Sequence, residues 1–148
     1  MYKRQALKVL EPLIVGEERE QMTVGRVVIG TIQGDIHDIG KNIVSMLMRA
    51  NGFEVIDLGV DVPPARFVEE ALKADADIIA VSALLSTSLP YVEDLVRLLR
   101  ERGLRDRFKL MVGGGSVTRE FAESIGADGY GEDAEEAVRV ALKLVGRG

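Results

Sequence analysis

The chain has no cysteine, no tryptophan and a single histidine, His37, among its 148 residues. Without cysteine it can form no disulfide and offers no thiolate to a soft metal, which fits a cytoplasmic protein. With one histidine it cannot build a metal site from several imidazoles. A metal bound at His37 would therefore take most of its ligands from elsewhere, such as a macrocycle.

Other absences narrow the class of protein. No stretch approaches the roughly 20 apolar residues of a membrane span, and no secretory signal follows Met1. The net charge of −5 and the lack of tryptophan argue against nucleic-acid binding, which needs a basic surface. The hydrophobic fraction of 47% and the charged fraction of 29% are typical of a soluble globular domain with one core.

Residues 1–21 differ from the rest of the chain. Apolar residues at helical spacing predict a short amphipathic helix there, and Pro12 should end or kink it. The apolar positions are Ala6, Leu7, Leu10, Leu13 and Ile14. The polar run at residues 16–21 predicts a linker. A frayed leader is the alternative interpretation of this segment.

From residue 22 to 148, strand-like and helical patterns alternate and predict one α/β domain. The predicted strands are 27–32, 54–58, 78–82, 109–112 and 129–130. The predicted helices are 42–51, 65–74, 91–102, 118–125 and 135–145. Five such units predict a flavodoxin-like or Rossmann-like parallel sheet, of strand order 2-1-3-4-5, with helices on both faces.

This strand order predicts where a ligand binds. In such sheets, ligands lie outside the carboxyl ends of the strands where the order reverses, here between the first and third strands. The loop after the first strand reads Gly34-Asp35-Ile36-His37-Asp38-Ile39-Gly40. The loop after the third strand carries hydroxyls at Ser82, Ser86, Thr87 and Ser88. We expect these two loops to face each other across a crevice.

His37 and Asp35 form a candidate metal-binding pair. A histidine ligand needs its second ring nitrogen held by a hydrogen bond, and a carboxylate does this while it raises the basicity of the imidazole. Asp35 is two residues away and could reach the ring. The alternative is a surface histidine, with Asp35 or Asp38 capping the following helix. From the loop alone both interpretations stand.

The same loop does not match a nucleotide-binding P-loop. That motif has four residues between its glycines and a hydroxyl residue after its lysine. Here five residues separate Gly34 from Gly40, and Asn42 follows Lys41. A flavodoxin-like nucleotide or flavin binder stays as an alternative from a different class.

Small residues follow the later strands. Gly113, Gly114 and Gly115 end the fourth predicted strand and should leave room for a bulky group against the backbone, with a plain turn as the alternative. The hydroxyls after the third strand should line a slot, unless Ser88 caps the next helix. These features predict a deep, narrow pocket.

Three ordered motifs resemble the signature of the cobalamin-binding domain of corrinoid methyl-transfer proteins, which is DxHxxG, then SxL, then GG. They read Asp35-Ile36-His37-Asp38-Ile39-Gly40, then Ser82-Ala83-Leu84 after 41 residues, then Gly113-Gly114 after a further 28. The resemblance covers residues 22–148. It is strongest toward the corrinoid proteins of methanol and methylamine methyltransferases and toward the matching domain of cobalamin-dependent methionine synthase.

The resemblance implies that the corrinoid binds with its own base off the cobalt and its nucleotide tail between sheet and helices. His37 would be the lower axial ligand of cobalt, Asp35 would hydrogen-bond to it, and Ser88 would complete a relay. Ser82 and Ser86 match hydroxyls that contact the buried base. The other residues implied around the cofactor are Gly34, Ile36, Asp38, Ile39, Gly40, Leu84, Gly113, Gly114 and Ala134, the last three in the tail slot.

The resemblance also implies a cytoplasmic methyl carrier that works in the methylcobalamin form. One methyltransferase would load the methyl group and a second would pass it on, so the chain need not catalyse either step. Family members carry a helical cap before this domain, and residues 1–21 resemble only its end. A truncated product and a cap on another subunit both stand as explanations. Two alternatives also stand: a regulatory module that senses cobalamin, and the cobalamin subunit of a radical mutase.

Overall fold

Five parallel strands alternate with five α-helices along residues 23–146, the part of the chain described by this computed structural model. The strands are β1 (Gly25–Thr31), β2 (Phe53–Asp57), β3 (Ile78–Ser82), β4 (Lys109–Gly113) and β5 (Gly129–Gly131). The helices are α1 (Ile39–Ala50), α2 (Pro64–Ala74), α3 (Leu89–Glu101), α4 (Arg119–Ser124) and α5 (Ala134–Leu144). The helix and linker predicted for residues 1–21 lie outside the described residues.

The strands form one sheet in the order β2-β1-β3-β4-β5, so the predicted fold is confirmed. β1 pairs with β2 on one side and β3 on the other, with Val27 opposite both Val55 and Ile78. Thr31 and Ser82, at the ends of β1 and β3, are register partners. The loops that follow these two strands therefore begin side by side.

The core has two layers because β1 and β3 are apolar on both faces, as central parallel strands are. Val28 packs in the layer that contains α2, α3 and α4, whereas Val27 and Ile29 pack in the layer that contains α1 and α5. Phe67 of α2 is fully buried, and a Cβ added at Gly30 would lie only 3.2 Å from Cζ of its ring. Within residues 23–146, no helix is long and apolar enough to cross a bilayer.

The helix ends follow the sequence signals closely, with one informative shift. α1 begins at Ile39 instead of the predicted Asn42, because the N–H of Asn42 already donates to the carbonyl of Asp38, at 2.8 Å. The glycine-rich loop therefore runs directly into a helical turn. Pro64 begins α2, a position that proline tolerates. Gly52, Gly103 and Gly126 follow helix ends and have φ of +97°, +70° and +74°.

Candidate functional site

The loops after β1 and β3 meet at the carboxyl edge of the sheet, as the strand order predicted. Asp35 of the first loop is fully buried. Its Oδ2 accepts hydrogen bonds from the backbone N–H groups of Leu84 and Leu85 in the second loop, at 2.7 and 2.9 Å. Asp38, the N-cap residue of α1, makes no side-chain cap bond. The carboxylate of Asp35 therefore joins the two loops and does not cap the helix.

The other oxygen of Asp35 holds His37. Oδ1 accepts the backbone N–H of His37 at 3.0 Å and lies 2.7 Å from its ring Nδ1. Burial by itself raises the pKa of Asp35, but hydrogen bonds from Leu85, His37 and Leu84 outweigh it and lower the pKa from 3.8 to about 2. The carboxylate is ionised at neutral pH. Because an ionised carboxylate only accepts hydrogen bonds, Nδ1 carries the proton of this contact, and in the neutral imidazole Nε2 is then the nitrogen with the available electron pair.

His37 is thus held at Nδ1, and no residue in the described part of the chain hydrogen-bonds to Nε2. Its side chain is 49% exposed. Its backbone carbonyl accepts a hydrogen bond from the hydroxyl of Thr31, which is fully buried, at 3.0 Å. An imidazole oriented by a carboxylate through Nδ1 and open at Nε2 has the arrangement of a metal ligand with its supporting partner.

Large apolar side chains are exposed around this imidazole. Ile36 and Ile39 on either side of His37 are 72% and 77% exposed, and Leu84 and Leu85 of the facing loop are 45% and 40% exposed. We call these four residues the apolar rim. Contiguous exposed apolar side chains mark surfaces that a ligand or partner covers. The rim therefore suits a large ligand with apolar edges.

A cavity of about 470 Å³ opens between the sheet and helices α1 and α5. Its volume is in the range of cofactor pockets. The predicted site residues that line it are Gly40, Ser82, Gly113, Gly114 and Ala134. Apolar walls come from residues that include Ile29, Val44, Met48, Ala80, Met111 and Ala137. The other predicted site residues lie outside this lining: Gly34, Asp35, Ile36, His37, Asp38 and Leu84 in the loops, Ile39 at the start of α1, and Ser86 and Ser88 in a short 3₁₀ turn.

Ser88 has a buried hydroxyl that makes no hydrogen bond within the described part of the chain. The residue is 1% exposed and ends a short 3₁₀ turn, Ser86–Ser88, before α3. It occupies the N-cap position of α3 but makes no side-chain cap bond, so the capping alternative is not observed. The hydroxyl lies under the first loop, since a Cβ on Gly34 would be 3.2 Å from Ser88 Oγ. A buried hydroxyl without a partner lowers the free energy of unfolding by about 1–3 kcal/mol.

The glycines after β4 serve a close contact between loops. Gly114 has a φ of +116°, and a Cβ there would lie 2.3 Å from the carbonyl oxygen of Ala83. A Cβ on Gly115 would lie 2.5 Å from Leu84 Cδ1. We expected these glycines to make room for a bulky ligand. Beside Gly114 that space holds the backbone of Ala83 instead, although Gly114 also lines the cavity.

Lys41 is a site residue whose role the sequence did not predict. Its side chain is 4% exposed, and its Nζ lies 2.8 Å from both carboxylate oxygens of Asp57 and 2.7 Å from Oδ1 of Asn42. Asp57 ends β2, which neighbours β1. The predicted strand order therefore already placed Asp57 near the loop and helix that follow β1, and this could have indicated the pair. The pair ties the first turn of α1, just after His37, to the edge of the sheet.

Replacing Lys41 with methionine should lower the free energy of unfolding by about 1–3 kcal/mol, since Asp57 loses its charge partner in a mostly buried setting. Urea denaturation of the full chain measures this. The double variant Lys41→Met with Asp57→Asn should recover part of the loss, because the charge left without a partner is gone. A double variant less stable than the single one would contradict this account.

Residues 25–139 match the model of a family described as B12 binding domain. The chain is also similar to dimethylamine corrinoid protein 3 of Methanosarcina mazei. The two are 48% identical over 140 residues, which cover 95% of this chain and 81% of the relative. The matched segment contains both site loops and the cavity.

Two solved structures are similar over the same domain. The monomethylamine corrinoid protein of Methanosarcina barkeri superposes with a TM-score of 0.76 and 43% identity, over 80% of this chain and 57% of that one. A chain of the methanol:cobalamin methyltransferase complex of the same organism gives a TM-score of 0.79 and 33% identity, over 93% and 50%. The chain thus spans little more than half the length of these two proteins.

Proposed function

The chain belongs to the B12-binding domain family, and on this premise we propose that it is a methyl carrier whose corrinoid is bound with its own base off the cobalt and with His37 in its place. Its cofactor is cobalamin or a related corrinoid. One observation carries the proposal: the ionised Asp35 lies 2.7 Å from Nδ1 of His37, which leaves Nε2 free to donate its electron pair.

The residues present fit both parts of the cofactor, the corrin ring and the nucleotide tail. At the edge of the sheet, His37 offers a half-exposed imidazole amid the apolar rim, which suits the underside of a broad macrocycle. Between sheet and helices, the cavity offers apolar walls for an aromatic base. We assign the tail slot to Ser82, Gly113, Gly114 and Ala134, with the Ser82 hydroxyl toward the base. Ser86, which the resemblance also places near the base, is exposed and lies outside the cavity lining.

Asp35 and His37 have distinct tasks in this proposal. When bound, the corrinoid supplies a cobalt centre that can accept a methyl group and give it up. Asp35 holds the proton on Nδ1 and orients the ring. A proton taken up at Nε2 would withdraw the electron pair of His37 from the metal, and Asp35 would stabilise the resulting imidazolium.

Ser88 is proposed as the third member of this relay. Its buried hydroxyl has no hydrogen-bond partner among residues 23–146 and lies beside Gly34, the residue before Asp35. Both oxygens of Asp35 are already hydrogen-bonded, to the loop of Leu84 and to His37. The Ser88 hydroxyl could therefore donate to Asp35 only after a local shift, for example when His37 changes protonation.

The partners are proposed from the names of similar proteins, a dimethylamine corrinoid protein and a methanol:cobalamin methyltransferase complex. One methyltransferase would take the methyl group from a small methylated compound and load it on the bound corrinoid. A second would transfer it to an acceptor. A helical cap, on a longer form of the chain or on another subunit, would shield the methyl group, and the system would work in the cytoplasm.

Retention of cobalamin tests the binding mode. Full chain incubated with cobalamin and desalted should stay coloured. Cobinamide, which has the corrin ring but no nucleotide tail, should bind at least about 100-fold more weakly, because burying an aromatic base contributes roughly 4–6 kcal/mol. Equal retention of the two corrinoids would contradict a buried tail, and a colourless protein would contradict corrinoid binding.

Methyl carriage is tested in the same preparation. The holoprotein reduced to cobalt(I) is mixed with dimethylamine and a dimethylamine-specific methyltransferase, with monomethylamine- and methanol-specific systems in parallel. The absorption of methylcobalt(III) should appear in one of these mixtures and only when all three components are present. Its absence from every mixture would contradict the carrier role.

A further inference from the structure

The loop that follows β2 lies along the loop that carries Asp35. Ile32 forms a parallel bridge with Val62, and the N–H of Gln33 donates to the carbonyl of Val62 at 2.9 Å. The chain between β2 and α2 is therefore hydrogen-bonded to the segment that leads into the site. Asp61 of this loop is hydrogen-bonded to the site loop itself.

Asp61 makes two hydrogen bonds to consecutive residues of the site loop. Its Oδ1 accepts the backbone N–H of Gly34 at 2.8 Å. Its own N–H donates to the carbonyl oxygen of Asp35 at 2.9 Å. The backbone on both sides of the Gly34–Asp35 peptide is thus held by one residue.

This contact depends on an unfavourable backbone conformation. Among residues 23–146, Asp61 and Asp75 are the only non-glycine residues with positive φ, both at 54°. Side chains disfavour this left-handed region, which aspartate and asparagine tolerate better than most residues. A strained residue whose side chain and N–H both bind one neighbouring loop is typical of a position held for function.

Asp35 is therefore held from two sides. Its side chain is bound by the N–H groups of Leu84 and Leu85, from the loop after β3. Its main chain is bound by Asp61, from the loop after β2. The position of the Asp35 carboxylate sets the orientation of the His37 ring. The hydrogen bonds of Asp61 to the backbone around Asp35 therefore affect the position of Nε2 indirectly.

We propose that Asp61 is a positioning residue for the axial ligand: it fixes the Gly34–Asp35 backbone so that His37 presents Nε2 to cobalt. This inference rests on the proposed function. Asp61 is not among the residues that line the cavity. Its effect should therefore appear in axial ligation and not in retention of the corrinoid tail.

The test compares Asp61→Gly with Asp61→Asn in the full chain loaded with cobalt(II) cobalamin. Glycine accepts the positive φ but removes the acceptor for Gly34, whereas asparagine keeps both the acceptor and the conformation. In protein labelled with 15N-histidine, electron paramagnetic resonance distinguishes cobalt bound by His37 from cobalt bound by the base of the cofactor, and so measures the fraction with histidine ligation. Asp61→Gly should shift the equilibrium between bound and unbound histidine by about two- to tenfold, the range that one hydrogen bond supports. Asp61→Asn should stay near wild type.

Asp75→Gly is the matched control, since Asp75 has the same φ but ends α2 and pairs with Arg107 at 2.7 Å, away from the site. It should leave axial ligation unchanged. Wild-type ligation in Asp61→Gly, or an equal loss in Asp75→Gly, would overturn the inference. Absence of histidine coordination in the wild type would instead overturn the proposed function. Asp61 is exposed and glycine relieves its strain, so the variant should fold, which its melting curve checks.

Discussion

Replacing His37 with alanine should abolish coordination of cobalt by the protein while the corrinoid tail stays in its cavity. The absorption spectrum of the loaded variant should be that of a corrinoid without an axial base from the protein. The rate of methyl transfer should fall by more than about 100-fold, because loss of a supporting partner alone typically costs 10–100-fold. Optical spectra and single-turnover transfer rates measure the two effects.

A glycine variant with added imidazole distinguishes loss of cobalt coordination from loss of folding. In His37→Gly, free imidazole can enter the space that the side chain leaves and should restore the axial spectrum in proportion to its concentration. Imidazole should not change the wild-type spectrum over the same range. A wild-type spectrum in His37→Ala without imidazole would contradict the role assigned to this residue.

Replacing Asp35 with asparagine should weaken both the site and the fold. The amide has one accepting oxygen, whereas the carboxylate accepts four hydrogen bonds, two at each oxygen. Buried N–H groups left without an acceptor cost about 1–3 kcal/mol. Histidine ligation of cobalt should fall by roughly 10–100-fold, since the ring loses its carboxylate partner. Cobalt(II) spectra and urea denaturation follow the two losses.

The stability loss should depend on pH in a defined direction. The pKa of Asp35 is lowered from 3.8 to about 2 in the folded chain. Its contribution is therefore present above pH 3.8 and is lost as pH falls from 3.8 toward 2, with a size of roughly 2 kcal/mol. In the apoprotein, the difference in unfolding free energy between wild type and Asp35→Asn should be largest above this range and should narrow within it.

Asp77→Asn provides the control for this prediction. Asp77 also accepts a backbone N–H, that of Arg26 at 2.8 Å, but it lies at the opposite edge of the sheet, before β3. This substitution should lower stability without changing the coordination of cobalt. If Asp35→Asn behaves like Asp77→Asn, the carboxylate supports the fold alone and not the ligand.

Much of the site could be predicted because it depends on local spacing and on strand order. Alternating strand and helix patterns predicted the sheet, and the reversal of strand order predicted that the loops of Asp35 and Leu84 would meet. Asp35 lies two positions before His37, a spacing that allows the carboxylate to reach the ring. In the structure, Asp35 Oδ1 lies 2.7 Å from His37 Nδ1.

The missed features are contacts between segments that lie apart in the sequence, which no local pattern specifies. Asp61 binds Gly34 across 27 residues, and its positive φ appears only once the loop after β2 is built. Lys41 lies in the first turn of α1, which begins at Ile39 and not at the predicted Asn42, and from there it pairs with Asp57. Gly114 lines the cavity, and its absent side chain also accommodates the backbone of Ala83, a contact that no local pattern indicates.

One measurement tests the central claim most directly. Because His37 is the only histidine in the chain, growth on 15N-labelled histidine places the label at one imidazole, provided that any histidine tag is removed. The cobalt(II) cobalamin form is then examined by electron paramagnetic resonance. Coordination by His37 predicts that the triplet splitting from ordinary nitrogen becomes the doublet of the labelled isotope. A triplet that persists would show that the base of the cofactor still occupies the axial position, and an unsplit signal would show that no nitrogen does.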